Sequence, residues 1–252
     1  MLAIDRHKRI MDQLAAHSSV KVSEMSALLQ VTEKTIREDL EKLEKRGLLK
    51  RIHGGAVPAL ESGEGIYPPS FPNTRELDEK DAIAALAAED IQPHDIIALD
   101  NGSTTLAIAQ RLDNVPLTVV TNDILIIREL ALKDRIRLVV PGGYRQDNLL
   151  IQPESLDWLR RMNIHKLFLS TTGIHPEYGL TIFTAELLPI KRLLIEASGT
   201  VCCVADHSKY GVGALHTFAT LQEVDRFITG AQLTDAALAP FLAQGVTIER
   251  TK

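Results

Sequence analysis

The chain has 252 residues, of which 45% are apolar and 24% charged, and a formal net charge of −5. These values fit a soluble globular protein with room for a short domain and a longer one. No apolar run approaches the roughly 18 residues of a membrane span, which excludes a helical membrane protein.

Charge is divided unevenly. Residues 1–56 hold 11 Lys/Arg against 8 Asp/Glu, a net +3, whereas the remainder holds 17 against 25, a net −8. A basic head on an acidic body directs only the head toward a polyanion. The opening stretch, MLAIDRHKRIMDQL, lacks the basic start and unbroken apolar core of a signal peptide, so a cytoplasmic location is expected.

Three helices are predicted first. One runs from about Asp5 to His17, with Ile10 and Leu14 on one side. The next starts near Ser23 and is expected to bury Met25, Leu28 and Leu29. Gln30-Val31 turns the chain, and Thr32 suits the N-cap of a third helix ending near Gly47. There Ile36, Leu40 and Leu43 recur at i, i+4 and i+7, making one apolar stripe. Leu48 to His53 has the size of a short strand, and Gly54-Gly55 offers the turn of a small wing. Residues 1–57 are therefore expected to form a mostly helical winged helix-turn-helix domain that binds double-stranded DNA.

With Ile36 and Leu40 turned inward, Lys34, Glu38, Glu41 and Lys45 project away, flanked by Thr35, Arg37 and Lys42. The N-terminal part of such a helix enters the major groove, which selects Thr32, Lys34, Thr35, Arg37 and Glu38. Arg51 and His53, on the wing, suit contacts to the DNA backbone. The other reading is a solvated helix stitched by the i, i+4 pairs Lys34–Glu38, Arg37–Glu41, Glu38–Lys42 and Glu41–Lys45. The capped helix and its Gly-Gly wing together favour the first.

Residues 58–75 read as a linker, since PALESGEGIYPPSFP holds four of the eleven prolines. Beyond it lies an alanine-rich helix from Asp78 to Asp90. Apolar runs follow at Ile96–Leu99, Leu117–Val120, Ile136–Val140, Lys166–Leu169 and Val201–Val204, with helical segments between most of them. That alternation predicts an α/β domain with a largely parallel sheet over residues 76–252. Cys202 and Cys203, adjacent on a strand, point to opposite faces and read as buried free thiols. No metal-ligand spacing and no cofactor motif is found.

An open parallel sheet binds its ligand at the strand ends. Asp100-Asn101-Gly102-Ser103-Thr104-Thr105 offers a glycine and three hydroxyls at a strand-to-helix junction, which suits a phosphate or another anion. An ordinary helix cap would look the same. Asn122, Gly143 with Arg145, Gly173, and Asp206 with Lys209 follow later strands. Lys80, Arg145, Lys191 and Lys209 are the cations on offer, each read individually as a surface residue.

The stretch VSEMSALLQVTEKTIREDLEKLEKRGLLKRIHGGA resembles the DeoR family of bacterial transcriptional regulators, echoed in Val31, Thr32, Thr35, Ile36, Arg37, Asp39, Leu40, Leu43, Gly47, Arg51 and His53 to Ala56. The segments DEKDAIA, DNGSTT, VVTND, VVPGGYR, TTGI, ELLPIK and DHSKYG follow the order of that family's effector domains. The resemblance implies a homo-oligomeric repressor of carbohydrate or nucleoside catabolism, with a sensor domain similar to ribose-5-phosphate isomerase and a phosphorylated sugar as effector. It places Asp100, Gly102, Ser103, Thr104, Thr105, Lys191 and Lys209 at or near the ligand. Glu38, Asn101, Ser155 and Thr172 depart from the family's commoner arginine, small residue, glycine and aspartate. The alternative is a sugar-phosphate isomerase with an accessory DNA-binding head, using Asp100, Glu186, Lys191 and Asp206 as acid–base groups. No catalytic motif separates from the ligand-binding groups, so no catalytic residue is assigned.

Overall fold

The computed structural model describes residues 6–7, 9–11, 13–14, 19–45, 49–52, 54–58, 76–152 and 156–252. They fall into two compact units, Met1–Gly63 and Glu64–Lys252. His53, Ser155, Gly47 and the linker from residue 59 to 75 lie outside the described residues.

In the first unit, helix α1 is described at residues 6–7, 9–11 and 13–14. It is followed by strand β1 (Val20–Lys21), helices α2 (Val22–Leu29) and α3 (Glu33–Lys45), and strands β2 (Leu49–Ile52) and β3 (Gly55–Pro58). Ile10, Leu14, Met25, Leu29, Ile36, Leu40 and Leu43 form its core. The expected burial of Leu28 is overturned, since it is 54% exposed. Val22, Met25 and Leu29 occupy one stripe, and Leu28 sits about 100° around the helix from Leu29. Gln30 closes α2 in the left-handed conformation. Thr32 Oγ1 accepts from the Thr35 N–H at 3.2 Å, which caps α3 as expected.

Gly54 is the turn of the wing, but Gly55 belongs to the strand and pairs with both neighbours in the order β1-β3-β2. A Cβ on Gly55 would lie 2.1 Å from the Val20 carbonyl oxygen, so β1 can approach only a glycine there. Pro58, read as the start of the linker, is the last residue of β3. Asp39, on α3, is 1% exposed. It accepts from Arg6 Nη2 at 3.0 Å and pairs with His7 Nε2 at 2.9 Å, tying α1 to α3. Burial pushes its carboxyl up, but these hydrogen bonds and charges outweigh that and leave it below its ordinary value.

The second unit opens with α4 (Leu77–Ala88), β4 (Ile96–Leu99), α5 (Ser103–Arg111), β5 (Leu117–Val120), α6 (Ile124–Leu130) and β6 (Ile136–Val139). A hairpin, β7 (Tyr144–Gln146) and β8 (Leu149–Ile151), leads to β9 (Ile164–Leu169), β10 (Gly173–His175) and β11 (Gly179–Ile182). Then come α7 (Leu188–Glu196), β12 (Ser198–Val204), β13 (His216–Ala219), β14 (Arg226–Thr229), α8 (Asp235–Leu242) and β15 (Ile248–Arg250). Seven strands form one sheet in the order β15-β14-β12-β9-β4-β5-β6, and every pairing within it is parallel.

Alternate residues of these strands feed two apolar layers. Ala98, Leu167, Leu169, Cys203 and Phe227 face one side with α7 and β10–β11. Ile97, Leu99, Phe168, Cys202 and Ile228 face the other with α4, α5 and α6. The two free cysteines are thus buried on opposite faces, as the strand period requires.

Candidate functional site

From β4 the chain steps outward through β5 to β6, then crosses back to β9 and steps outward the other way. The direction reverses between β4 and β9, and such a switch point leaves a crevice beyond the C-terminal strand ends. Asp100 follows β4, Ser170 follows β9, and Asp206 lies just beyond β12. Adjacent strands are about 4.8 Å apart, so these three residues span roughly 10 Å.

Asp100 is fully buried and Lys191, on α7, is 1% exposed. They form a salt bridge. Ser170 ties this pair to β9: its N–H and its hydroxyl each donate to Asp100 Oδ2 at 2.9 Å. Lys191 Nζ also donates to the Ser170 carbonyl at 3.0 Å. Lys191 is therefore an internal counter-ion, not the surface residue that its type suggested. Ser170 was missed by the sequence reading, because a serine at a strand end carries no signal of its own.

Gly102 caps α5 with φ +153°, and a Cβ there would come within 3.1 Å of the Ser170 side chain. Ser103 is half-buried, while Thr104 and Thr105 are buried. Thr105 Oγ1 donates to the Gly102 carbonyl at 2.9 Å, closing the first turn. Asp123, also missed, caps α6 by accepting from Leu125 and Ile126 N–H and from Asn148 Nδ2. Burial pushes its carboxyl up to about 6, against the hydrogen bonds from Leu125, Ile126 and the Gly102 N–H.

A second polar cluster joins α4 to the turn after β12. Lys80, expected at the surface, is 3% exposed, with Nζ 3.8 Å from Asp206 Oδ2. Burial lowers its ammonium to about 8, partly offset by Asp206. Asp206 caps the short His207–Lys209 turn by accepting from the Ser208 N–H at 3.1 Å. Glu79, 3% exposed, accepts from the His207 N–H at 2.8 Å and faces His207 Nδ1 at 2.6 Å. The hydrogen bond to Glu79 raises His207 above its ordinary value. Glu76, Glu79 and His207 are the described residues that come close enough to share a cation. Both Glu79 oxygens are already engaged by His207. Lys209 is half-buried beside this cluster.

The remaining candidates each have a structural setting of their own. Asn122 Nδ2 donates to the Leu150 carbonyl at 3.2 Å, and Arg145 Nε donates to the Asp147 carbonyl at 2.9 Å, so both brace the β7–β8 hairpin. Gly143 and Gly173 lie where the backbones of Ile151 and Val212 pass closely. Glu186 is exposed on the Ala185–Leu187 turn before α7.

On the head, Thr32, Lys34, Arg37, Glu38 and Arg51 are exposed and Thr35 is half-buried. Thr32 and Thr35 hydroxyls meet at 2.9 Å. Arg37 Nη2 donates back to Glu33 at 2.6 Å, one turn toward the N-terminus. Arg51 Nε reaches Glu44 Oε2 at 2.7 Å, and its N–H reaches Oε1 at 2.8 Å, so the wing is fastened to α3. Arg37 and Arg51 line one groove of about 450 Å³ between α3 and the wing, with Val22, Leu40 and Ile52.

Residues 6–60 match the DeoR-like helix-turn-helix domain and residues 75–231 the DeoR C terminal sensor domain. The uncharacterized HTH-type transcriptional regulator YulB of Bacillus subtilis is 35% identical over 94% of this chain and 93% of its own length. The HTH-type transcriptional regulator GlpR of Haloferax volcanii is 32% identical over 98% of each. The HTH-type transcriptional repressor GlcR of Bacillus subtilis is 32% identical over 89% of this chain and 87% of its own. Among solved structures, a ribose 5-phosphate isomerase from Methanocaldococcus jannaschii aligns with a TM-score of 0.39 and 14% identity, over 55% of this chain and 54% of that one.

Proposed function

The chain belongs to the DeoR family of transcriptional regulators, and on that footing we propose that it represses carbohydrate or nucleoside catabolism genes and is released from its operator by a phosphorylated sugar. Residues 1–58, with Pro58 closing β3, bind the DNA, 59–75 connect, and 76–252 sense the effector. The observation that carries the sensing half is the buried Asp100–Lys191–Ser170 cluster at the switch point, set directly against the N-terminus of α5. A buried ion pair of this kind is costly to assemble, and here it lies where ligands of open α/β sheets bind.

DNA contacts fall to Lys34, Thr35, Arg37 and Glu38 on α3, with Thr32 holding the cap. Arg51 and His53 serve the DNA backbone. Effector contacts fall to Asp100, Gly102, Ser103, Thr104 and Thr105, supported by Lys80, Asp206 and Lys209. One small head reads a short half-site, so a homo-oligomer acting in the cytoplasm on repeated sites follows. No helix among the described residues is long and apolar enough to cross a membrane. The chain acts as a regulator and not as an enzyme, a reading supported by its likeness over nearly its whole length to proteins named as transcriptional regulators.

The test uses a DNA fragment from upstream of the chain's own gene. Arg37→Ala weakens its binding at least about tenfold at moderate salt. The double variant Ser103→Ala/Thr104→Ala binds DNA normally but ignores sugar phosphates. Aldose–ketose isomerisation at ordinary enzyme rates, or normal release of DNA from the double variant, refutes this function.

A further inference from the structure

Two consecutive side chains at the end of β4 are buried, and each keeps an oxygen with no partner among the described residues. Asp100 is 0% and Asn101 4% exposed. Asp100 Oδ1 and Asn101 Oδ1 accept no hydrogen bond, although the other carboxylate oxygen, Asp100 Oδ2, is held by Ser170 and Lys191. Leaving a buried acceptor open is unfavourable, and native folds satisfy nearly all such atoms with a protein group, an ordered water or a ligand.

The polarity of these atoms restricts that group. A carboxylate oxygen can accept but not donate, so Asp100 Oδ1 repels a phosphate and calls for an O–H or N–H. One residue further on, the N-terminus of α5 has the opposite character: its first-turn N–H groups and Ser103 favour an anion. The two ends of the site therefore select different ends of one ligand.

We propose that Asn101, together with Asp100, determines effector specificity by accepting hydrogen bonds from hydroxyl groups, so that the effector is a polyhydroxylated phosphate ester whose hydroxyls enter between these residues while its phosphate meets α5. This rests on residues 100–105 being the effector site. A site built to accept from a hydroxyl discriminates strongly against the analogue that lacks it, because its own polar groups are then left open. Asn101 is a specificity residue and takes no part in DNA contact.

The experiment measures calorimetric binding to the full chain. Its probes are ribose 5-phosphate against 2-deoxyribose 5-phosphate, glucose 6-phosphate against 2-deoxyglucose 6-phosphate, and inorganic phosphate. In at least one pair the hydroxylated member binds about tenfold or more tighter than its deoxy partner, and inorganic phosphate binds more weakly than either. In Asn101→Leu, which keeps the branched shape without the amide, and in the smaller Asn101→Ala, that preference collapses to about twofold or less. The melting temperature of the ligand-free Asn101→Leu protein is unchanged or higher, because an open buried acceptor has been removed.

Equal binding of both members of each pair overturns the proposal while leaving a sugar-phosphate sensor in place. So does a preference that survives in both variants, or inorganic phosphate binding as tightly as the esters. A lowered melting temperature with the preference intact makes Asn101 purely structural. Failure of every sugar phosphate to bind removes the sensing function itself, and this proposal with it.

Discussion

Glu79 grips His207 by both carboxylate oxygens, one on the backbone N–H at 2.8 Å and one on ring Nδ1 at 2.6 Å. The next residue of α4, Lys80, lies 3.8 Å from the residue before His207, Asp206. Two consecutive residues of one helix thus hold two consecutive residues of one strand-end turn, in charge-complementary pairs. Displacing the turn without moving α4 would break both.

Glu79→Gln should loosen this grip in a pH-dependent way. His207 is raised by its bond to Glu79, so its stabilising effect is complete below the unfolded histidine value near 6.5 and is lost as pH rises through its folded value. Below that range the variant melts lower, by roughly 1 kcal/mol after allowing for the partly exposed ring, and the gap narrows at higher pH. Melting curves from pH 5.5 to 9, with the His207 ring followed by NMR, test it; a gap that does not change with pH counts against it.

Lys191→Met should be among the most damaging single changes in the sensor. It leaves the Asp100 carboxylate buried without its counter-ion, at a cost of about 3–5 kcal/mol. Adding Asp100→Asn removes the stranded charge and should recover much of the loss. Urea unfolding of both variants decides the matter, and a double variant no more stable than Lys191→Met would show that the charge was not the cause.

Asp123 gives stability a slope of the same sense at lower pH. Its carboxyl titrates near 6 in the folded protein and near 3.8 when unfolded, so the folded chain holds an extra proton between those values. Its contribution therefore falls as pH rises from about 4 to 6, by about 3 kcal/mol, and is flat above. Direct titration of the Asp123 carboxyl carbon by NMR is the check; a midpoint below 4 would refute it.

On α2, neighbouring leucines should behave differently. Leu29→Ala removes a core side chain that is 4% exposed and should cost about 2–5 kcal/mol, whereas Leu28→Ala should fall within about 0.5 kcal/mol of the parent. Denaturant midpoints of the two variants separate them, and comparable losses would place Leu28 in an unrecognised contact.

The strands that carry the parallel sheet were legible because a strand buried on both faces reads as an unbroken apolar run, as at Ile96–Leu99 and Val201–Val204. The three-residue strands Tyr144–Gln146 and Gly173–His175 have no room to show a period, and α8 carries Pro240 within it. The loop from Asp100 to Thr105 was visible through its hydroxyls. Its engagement with Lys191 was not legible from spacing, because 91 residues separate the partners; only the family resemblance placed both at one site. Leu28 was misplaced because its apolar character suggested the core, while the stripe through Val22, Met25 and Leu29 had already set the inward face.

Cys202 and Cys203 place one thiol in each apolar layer, and burial pushes Cys202 up to about 12 and Cys203 well above its ordinary value. Neither can react with an alkylating reagent until its own layer parts, since reaction needs an exposed thiolate. The adjacent pair is thus a native two-channel clock: the order in which the thiols are labelled reports which side of the sheet opens first.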